Sequence, residues 1–147
     1  MINADNGPEN NGARTQWLKR LVEFSAEHGV KVQLACYPPY HSKYNPVERV
    51  FGALEKYWNG DPLRSVEQAL GMASGMTSKG VHPETVLIET EYPKGVRLKK
   101  KEMKPYEACL DRLKGLGKWF ITIASSKARE HKAREQIAAT KPLAYIG

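Results

Sequence analysis

The chain has 147 residues, of which 41% are hydrophobic and 27% charged, and its formal net charge is +7. This length supports one ordinary hydrophobic core, and no apolar run approaches the ~18 residues that a membrane-spanning helix needs. Met1 leads into a polar stretch, and Cys36 and Cys109 lack a CxxC motif, so we predict no signal peptide, zinc site or disulfide scaffold. We therefore expect a cytoplasmic protein.

The positive charge is concentrated in the C-terminal half of the chain. Residues 94–118 carry nine Lys or Arg against three Asp or Glu, whereas residues 61–93 carry two against five. Such an excess favours a polyanionic partner such as DNA. A solubilising surface would have the same composition, so charge alone leaves both interpretations open.

The first 37 residues predict a β–α–β arrangement. Residues 1–4 are typical of a strand end, and residues 13–28 have the apolar spacing of an amphipathic helix, with Asn11 as N-cap and Gly29 at the end. Residues 30–37 alternate and then become apolar, as in a strand that enters a covered sheet. Two strands that flank a helix form a parallel pair. We therefore predict an α/β fold whose sheet begins at the first residue.

The remaining elements alternate between helices and short strands. We predict helices at 45–58, 65–76 and 101–114. Residues 125–139 predict a further, charge-rich helix with little apolar face. Short apolar runs predict strands at 86–88, 96–98 and 119–123.

Two acidic residues occupy positions where functional sites commonly form. Asp5 follows the first strand in a Gly- and Asn-rich turn, at the carboxyl edge of the predicted sheet, although an Asx-turn residue would stand there too. Glu48 lies in the first turn of the 45–58 helix, beside its apolar stripe. An ordinary Glu is also favoured there by the helix dipole. Glu55, two turns later on the same flank, is expected to be structural or exposed.

Two longer segments resemble one transposase family. The runs NADNGPENN (residues 3–11) and YPPYHSKYNPVER (residues 37–49) are similar, in order and spacing, to DDE transposases of the ISAzo type, also called Rhodopirellula-type. The NPVE run at 45–48 also resembles the wider mariner-like superfamily. The likeness extends over about residues 1–123. We therefore predict the C-terminal part of a DDE catalytic domain at 1–123 and a charged helical tail at 124–147.

The resemblance implies a partial ribonuclease-H-like fold whose first three strands are absent. It also implies a catalytic site in which three carboxylates hold two Mg²⁺ ions. Asp5 corresponds to the second catalytic and metal-binding acid, and Glu48 to the third. Residues 1–4 contain no acid, so the first catalytic Asp has no counterpart in these residues.

The residues around the start of the 45–58 helix, which carries Glu48, are predicted to bind DNA. His41, Lys43 and Arg49 would meet phosphates, Tyr40 or Tyr44 would stack on an unpaired base, and Asn45 belongs to the same DNA-binding group. Loop packing for the tyrosine and solvated charge for the basic residues are the alternatives.

The function that the resemblance implies is that of an insertion-sequence transposase in truncated form. The intact family cuts and joins DNA by Mg²⁺-dependent phosphodiester transfer, and we expect this chain to be inactive alone. The expected partners are transposon-end and target DNA, a second copy of the chain or an intact transposase, and no membrane. The alternatives are a non-catalytic DNA-binding or transposase-binding fragment and another ribonuclease-H-like nuclease, against which the NPVE run argues.

Overall fold

A computed structural model describes residues 1–38, 41 and 44–140 of the chain. Over those ranges the elements are β1 (Ile2–Ala4), α1 (Thr15–His28), β2 (Val32–Cys36), α2 (Pro46–Trp58), α3 (Val66–Gly75), α4 (Lys100–Glu107), β3 (Leu110–Arg112), β4 (Phe120–Ile123) and α5 (Ser125–Thr140). They divide into two compact units, which we call the sheet unit (Met1–Pro39 and Gly95–Gly147) and the helical unit (Tyr40–Lys94). No helix in these ranges is long and apolar enough to span a lipid bilayer.

The sheet is mixed, with the strand order β1-β2-β4-β3. β1 runs parallel to β2, with Ala4 opposite Cys36, whereas β4 runs antiparallel to β2 on one side and to β3 on the other. The parallel pair forms because α1 returns the chain to the end at which β1 began. The predicted α/β class and β–α–β arrangement are confirmed.

The hydrophobic core of the sheet unit combines one face of α1 with alternate residues of the strands. Leu18, Leu21 and Val22 recur at helical spacing and are 1%, 5% and 2% exposed. Every second residue of β2 from Val32 is buried as well. Burial of each large aliphatic side chain contributes about 1.5–3 kcal/mol. Gly29 ends α1 with a φ of 65°, as predicted, because a left-handed residue there costs glycine nothing.

The charged helix predicted at 125–139 is confirmed as α5, and it packs against α1. It buries Ala128 and His131. The His131 ring lies 4.4 Å from the ring of Tyr106 in α4, and the Tyr106 hydroxyl donates a hydrogen bond to Glu135 Oε1 at 2.9 Å. These contacts join α5 to the same core as α1 and α4.

The helical unit contains α2 and α3, which pack against each other. The side chain of Asn45 accepts from the amide two residues later, and Pro46 occupies the first turn of α2. At the start of α3, the Ser65 hydroxyl oxygen accepts from the Gln68 amide, three residues later, at 3.1 Å. Neither helix contains a buried residue, and Val47 and Phe51 of the predicted apolar stripe are 42% and 58% exposed.

The strands predicted at 86–88 and 96–98 do not form. The first and last side chains of 86–88 are 73% and 69% exposed, and in the described part of the chain no strand pairs with either run. The amide of Leu98 donates to Thr15 Oγ1 at 3.0 Å instead of to a neighbouring strand. These predictions were wrong because a short apolar run becomes a strand only where another strand offers its edge.

Two boundary predictions were also wrong. The helix predicted at 101–114 ends at Glu107, because Leu110–Arg112 pair with β4 as strand β3. Asn11 does not cap α1, whose N-cap is Arg14. The Asn11 side chain instead accepts from the amide two residues later, within the turn that precedes the helix.

Candidate functional site

Asp5 lies immediately after β1, in a turn that orients its carboxylate. Asp5 Oδ1 accepts from the Gly7 amide at 3.1 Å and from Asn10 Nδ2 at 2.8 Å. Asn6, which lies between Asp5 and Gly7, has a φ of 63°, a left-handed conformation that Asn tolerates better than most residues. Within the described residues, no hydrogen bond or ion pair engages Asp5 Oδ2, and the side chain is exposed. One carboxylate oxygen is thus fixed and the other is available to a ligand.

The same two donors favour the ionised form of Asp5. The Asn10 side chain, and after it the Gly7 amide, lower the pKa of Asp5 below its ordinary value because both stabilise the anion. A hard divalent cation binds the anionic form of a carboxylate. The turn therefore holds Asp5 in the form that such a cation requires.

Asn10 is a functional candidate that the sequence analysis did not single out. Its Nδ2 group is the side-chain donor to Asp5, and its amide donates to the Gly7 carbonyl at 3.3 Å. Asn residues are common in turns. No general rule of local sequence predicts that an Asn five positions after an Asp donates a hydrogen bond to it. The only signal was its place in the NADNGPENN run.

Glu48 lies in the first turn of α2, in the helical unit. Its amide donates to the Asn45 carbonyl at 3.1 Å, and its side chain is exposed. No hydrogen bond or ion pair holds this side chain within residues 1–38, 41 and 44–140. The positive end of the helix favours a carboxylate at this position. Glu55 is exposed as well, so its predicted exposure is confirmed.

The predicted DNA-binding loop is described in part. The rings of His41 and Tyr44 stack, with centroids 5.9 Å apart and an interplanar angle of 27°, and Tyr44 is 58% exposed. Arg49 is exposed one residue after Glu48, and Asn45 is half-buried as the cap of α2. Tyr40 and Lys43 lie outside the described residues.

The predicted site residues thus fall into two groups. Asp5 belongs to the sheet unit, whereas Glu48 and Arg49 belong to the helical unit together with His41 and Tyr44. In the described part of the chain, no three His, Cys, Asp or Glu side chains cluster as a ready metal site. Each of the two candidate acids is by itself a suitable metal ligand, but the described residues contain no cluster of three such ligands.

A separate basic surface lies at the start of α4. Lys99, Lys100, Lys101 and Lys104 are all exposed. The Lys99 amide donates to Glu102 Oε2 at 2.7 Å, which fixes the beginning of the helix. Four exposed ammonium groups within six residues are suited to phosphates in any sequence context.

Comparison with known proteins adds one match. Residues 1–125 match the family described as Rhodopirellula transposase DDE domain. No curated protein and no solved structure gives a significant match. The matched range contains Asp5, Glu48 and all four strands of the sheet, and it ends at the first residue of α5.

Proposed function

The chain belongs to the Rhodopirellula transposase DDE domain family, and on this premise we propose that it supplies two metal-binding acids, Asp5 and Glu48, of an insertion-sequence transposase. The family is one of transposases, which implies DNA binding and a general dependence on divalent metal ions. The observation that carries the proposal is the family match across both acids. A ribonuclease-H-like arrangement of the complete domain is part of the same proposal, as is the charged helical tail predicted at 124–147, of which 141–147 lie outside the described residues.

Asp5 and Glu48 fit Mg²⁺ by the chemistry of their donor atoms. Both are exposed carboxylates, and Mg²⁺ prefers a few carboxylate oxygens and keeps several of its waters. Bound there, Mg²⁺ would favour deprotonation of a water or 3′-hydroxyl and stabilise charge at a DNA phosphodiester. Asn10 and the Gly7 amide orient Asp5 and keep it anionic, while the start of α2 supports the negative charge of Glu48.

The chain's contacts to DNA are proposed for the loop that precedes α2 and for the first turn of that helix. Arg49, Lys43 and His41 would pair with phosphates, Asn45 would fix the loop to α2, and the exposed ring of Tyr44 would stack on a base. These groups position a nucleic-acid strand near Glu48 without reading its sequence.

We further propose that this chain alone does not cut or join DNA. The family's two-ion site takes three acids, and among the described residues no three His, Cys, Asp or Glu side chains cluster as a metal site. With Mg²⁺, the 147-residue chain is therefore expected to leave supercoiled plasmid intact. Metal-dependent nicking that disappears in Glu48→Gln would overturn this expectation, while supporting the role of Glu48.

The metal-binding role is tested by Mn²⁺ titration of the ¹⁵N-labelled full chain. Mn²⁺ is expected to broaden the amide signals around Gly7 and at the start of α2. Asp5→Asn should abolish the first effect and Glu48→Gln the second. Glu55→Gln is the matched control, because Glu55 is exposed on the same helix and has no proposed ligand role. Unchanged broadening in both site variants would refute the proposal.

A second candidate function is favoured by the charge distribution. The nine Lys or Arg within residues 94–118 suit a non-catalytic DNA-binding or transposase-binding role. In that case DNA binding persists in EDTA and weakens with salt. Replacement of Lys100, Lys101 and Lys104 by Met should then reduce the salt slope by about 0.9 for each lost phosphate contact. Lys79→Met, an exposed site elsewhere, is the control, and a salt slope that the triple variant leaves unchanged would exclude this role for the α4 lysines.

A further inference from the structure

Arg112, at the end of β3, connects three segments of the sheet unit. Its Nη1 donates to the Gly12 carbonyl at 2.9 Å and to the Gly117 carbonyl at 2.7 Å. Its Nη2 donates to Glu107 Oε2 at 3.1 Å, and its Nε donates to Glu107 Oε1. One guanidinium thereby joins α4, the β3–β4 connection and the turn that begins at Asp5.

The turn lies close against that connection at Gly12. Gly12 is buried, and a Cβ at this position would lie 2.3 Å from the Lys118 carbonyl oxygen. From Gly12 the restraint continues towards Asp5 through hydrogen bonds inside the turn. Asn11 Nδ2 donates to the Gly7 carbonyl at 2.9 Å, and Asn10 Nδ2 donates to Asp5 Oδ1 at 2.8 Å.

The chemistry of these contacts is specific to arginine. The planar guanidinium pairs bidentately with the Glu107 carboxylate while its remaining N–H groups reach two carbonyls. The Arg112 side chain is only 28% exposed, so Glu107 offsets a charge that is partly removed from water. A lysine ammonium cannot reproduce this geometry, because its donors radiate from a single atom.

We propose that Arg112 is a positioning residue for Asp5. By holding the Gly12 carbonyl, it keeps the Asp5 turn against the β3–β4 connection, so that Asn10 and Gly7 present the carboxylate in one orientation. The inference rests on the proposed metal-binding role of Asp5 for its functional meaning. The restraint on the turn is a separate, measurable property of the fold.

The test uses the full chain with Arg112→Lys, Arg112→Met and the charge-matched control Lys114→Met, an exposed residue of the same connection. Backbone ¹⁵N order parameters over residues 6–12 are expected to be near 0.85 in the unaltered protein and in the control, and to fall below about 0.6 in both Arg112 variants. Mn²⁺ affinity, read from broadening of the Gly7 amide, should fall about tenfold in Arg112→Lys. The β1–β2 amide signals should keep their positions.

The two readouts separate the two proposals. If the unaltered protein binds no Mn²⁺ near Gly7, the metal-binding role fails, while the order parameters still decide whether Arg112 restrains the turn. Order parameters and Mn²⁺ affinity in Arg112→Lys that equal those of Lys114→Met would overturn the inference. If the Arg112 variants do not fold, Glu107→Gln serves instead, with a smaller fall in the same order parameters expected, and an unchanged turn in that variant refutes the restraint.

Discussion

Gly12→Ala is expected to destabilise the protein by about 2–4 kcal/mol, because two backbone segments meet at Gly12. A Cβ there would lie 2.3 Å from the Lys118 carbonyl oxygen and 3.2 Å from Ile121 Cδ1. An ordinary carbon–oxygen contact is about 3.3 Å, so the backbone must move by about 1 Å. Overpacking of this kind costs about 1–3 kcal/mol. The movement also weakens the hydrogen bond from Arg112 to the Gly12 carbonyl, which contributes about 1.5–3 kcal/mol. Because the same movement causes both losses of stability, their sum is smaller than the two added in full.

The assay is urea unfolding followed by tryptophan fluorescence. Trp17 and Trp119 pack against the core of the sheet unit and report on its unfolding. With a urea dependence of about 2 kcal/mol per molar, the expected loss of about 2–4 kcal/mol moves the unfolding midpoint down by about 1–2 M.

Gly52→Ala is the matched control for this substitution. Gly52 lies inside α2 with no atom within 4 Å of an added Cβ, so alanine there should stabilise its helix by about 0.5–1 kcal/mol. The reasoning is refuted if Gly12→Ala leaves the urea midpoint unchanged. That result would mean that the turn does not contact the β3–β4 connection in solution.

Two further predictions concern the packing of α5. Burial, and next the Glu135 carboxylate, raise the pKa of Tyr106, so the neutral phenol stabilises the fold fully below its ordinary pKa of about 10 and loses that effect as the pH rises above it. Tyr106→Phe should therefore lower the free energy of unfolding by roughly 1 kcal/mol near neutral pH. In urea titrations at several pH values, the variant should also lose less stability than the unaltered protein above about pH 10. Ala128→Asp should lower stability by about 3 kcal/mol, or roughly 10 °C in Tm by circular dichroism, because Ala128 is fully buried and the new charge has no partner.

Each of these predictions has its own control. Tyr92→Phe, at a tyrosine that is 72% exposed, should leave the alkaline profile unchanged, and identical profiles for Tyr106→Phe and the unaltered protein would contradict the first prediction. Ala133→Asp places the same charge at an exposed position of α5 and should change Tm little. Equal Tm values for the two aspartate variants would show that α5 does not pack against α1.

Elements were predictable from sequence where one residue sets a boundary. Asn45 and Pro46 predicted the start of α2, and Gly29 predicted the end of α1, because capping and left-handed backbone depend on local chemistry. The strand β2 was predictable from its alternating apolar and polar residues. Its two edges pair with β1 and β4.

Other features depend on partners that are remote in sequence and carry no local signal. β3 follows directly on an apparently helical run, and it is a strand because β4 pairs with it. Arg112 contacts Gly12 from 100 residues away. The family likeness identified Asp5 and Glu48 as candidate acids, whereas the hydrogen bond from Asn10 that helps to orient Asp5 could be found only in the folded turn. Whether Asp5 and Glu48 hold metal stays a prediction.

In sequence, the helical unit interrupts the sheet unit between β2 and α4, and this has a consequence for how the protein folds. Val32 of β2 pairs with Ile123 of β4, so the sheet closes a loop of about 90 residues. Each doubling of the length of such a loop adds only about 0.6 kcal/mol to the entropic cost of closing it. The loop must close before the contacts between β2 and β4 can stabilise the sheet, and this slows folding. During synthesis, Asp5 is made early, but its turn gains the Arg112 contact only after Arg112, 100 residues beyond Gly12, has been made. Insertions in the helical unit should therefore change the folding rate more than the stability of the sheet.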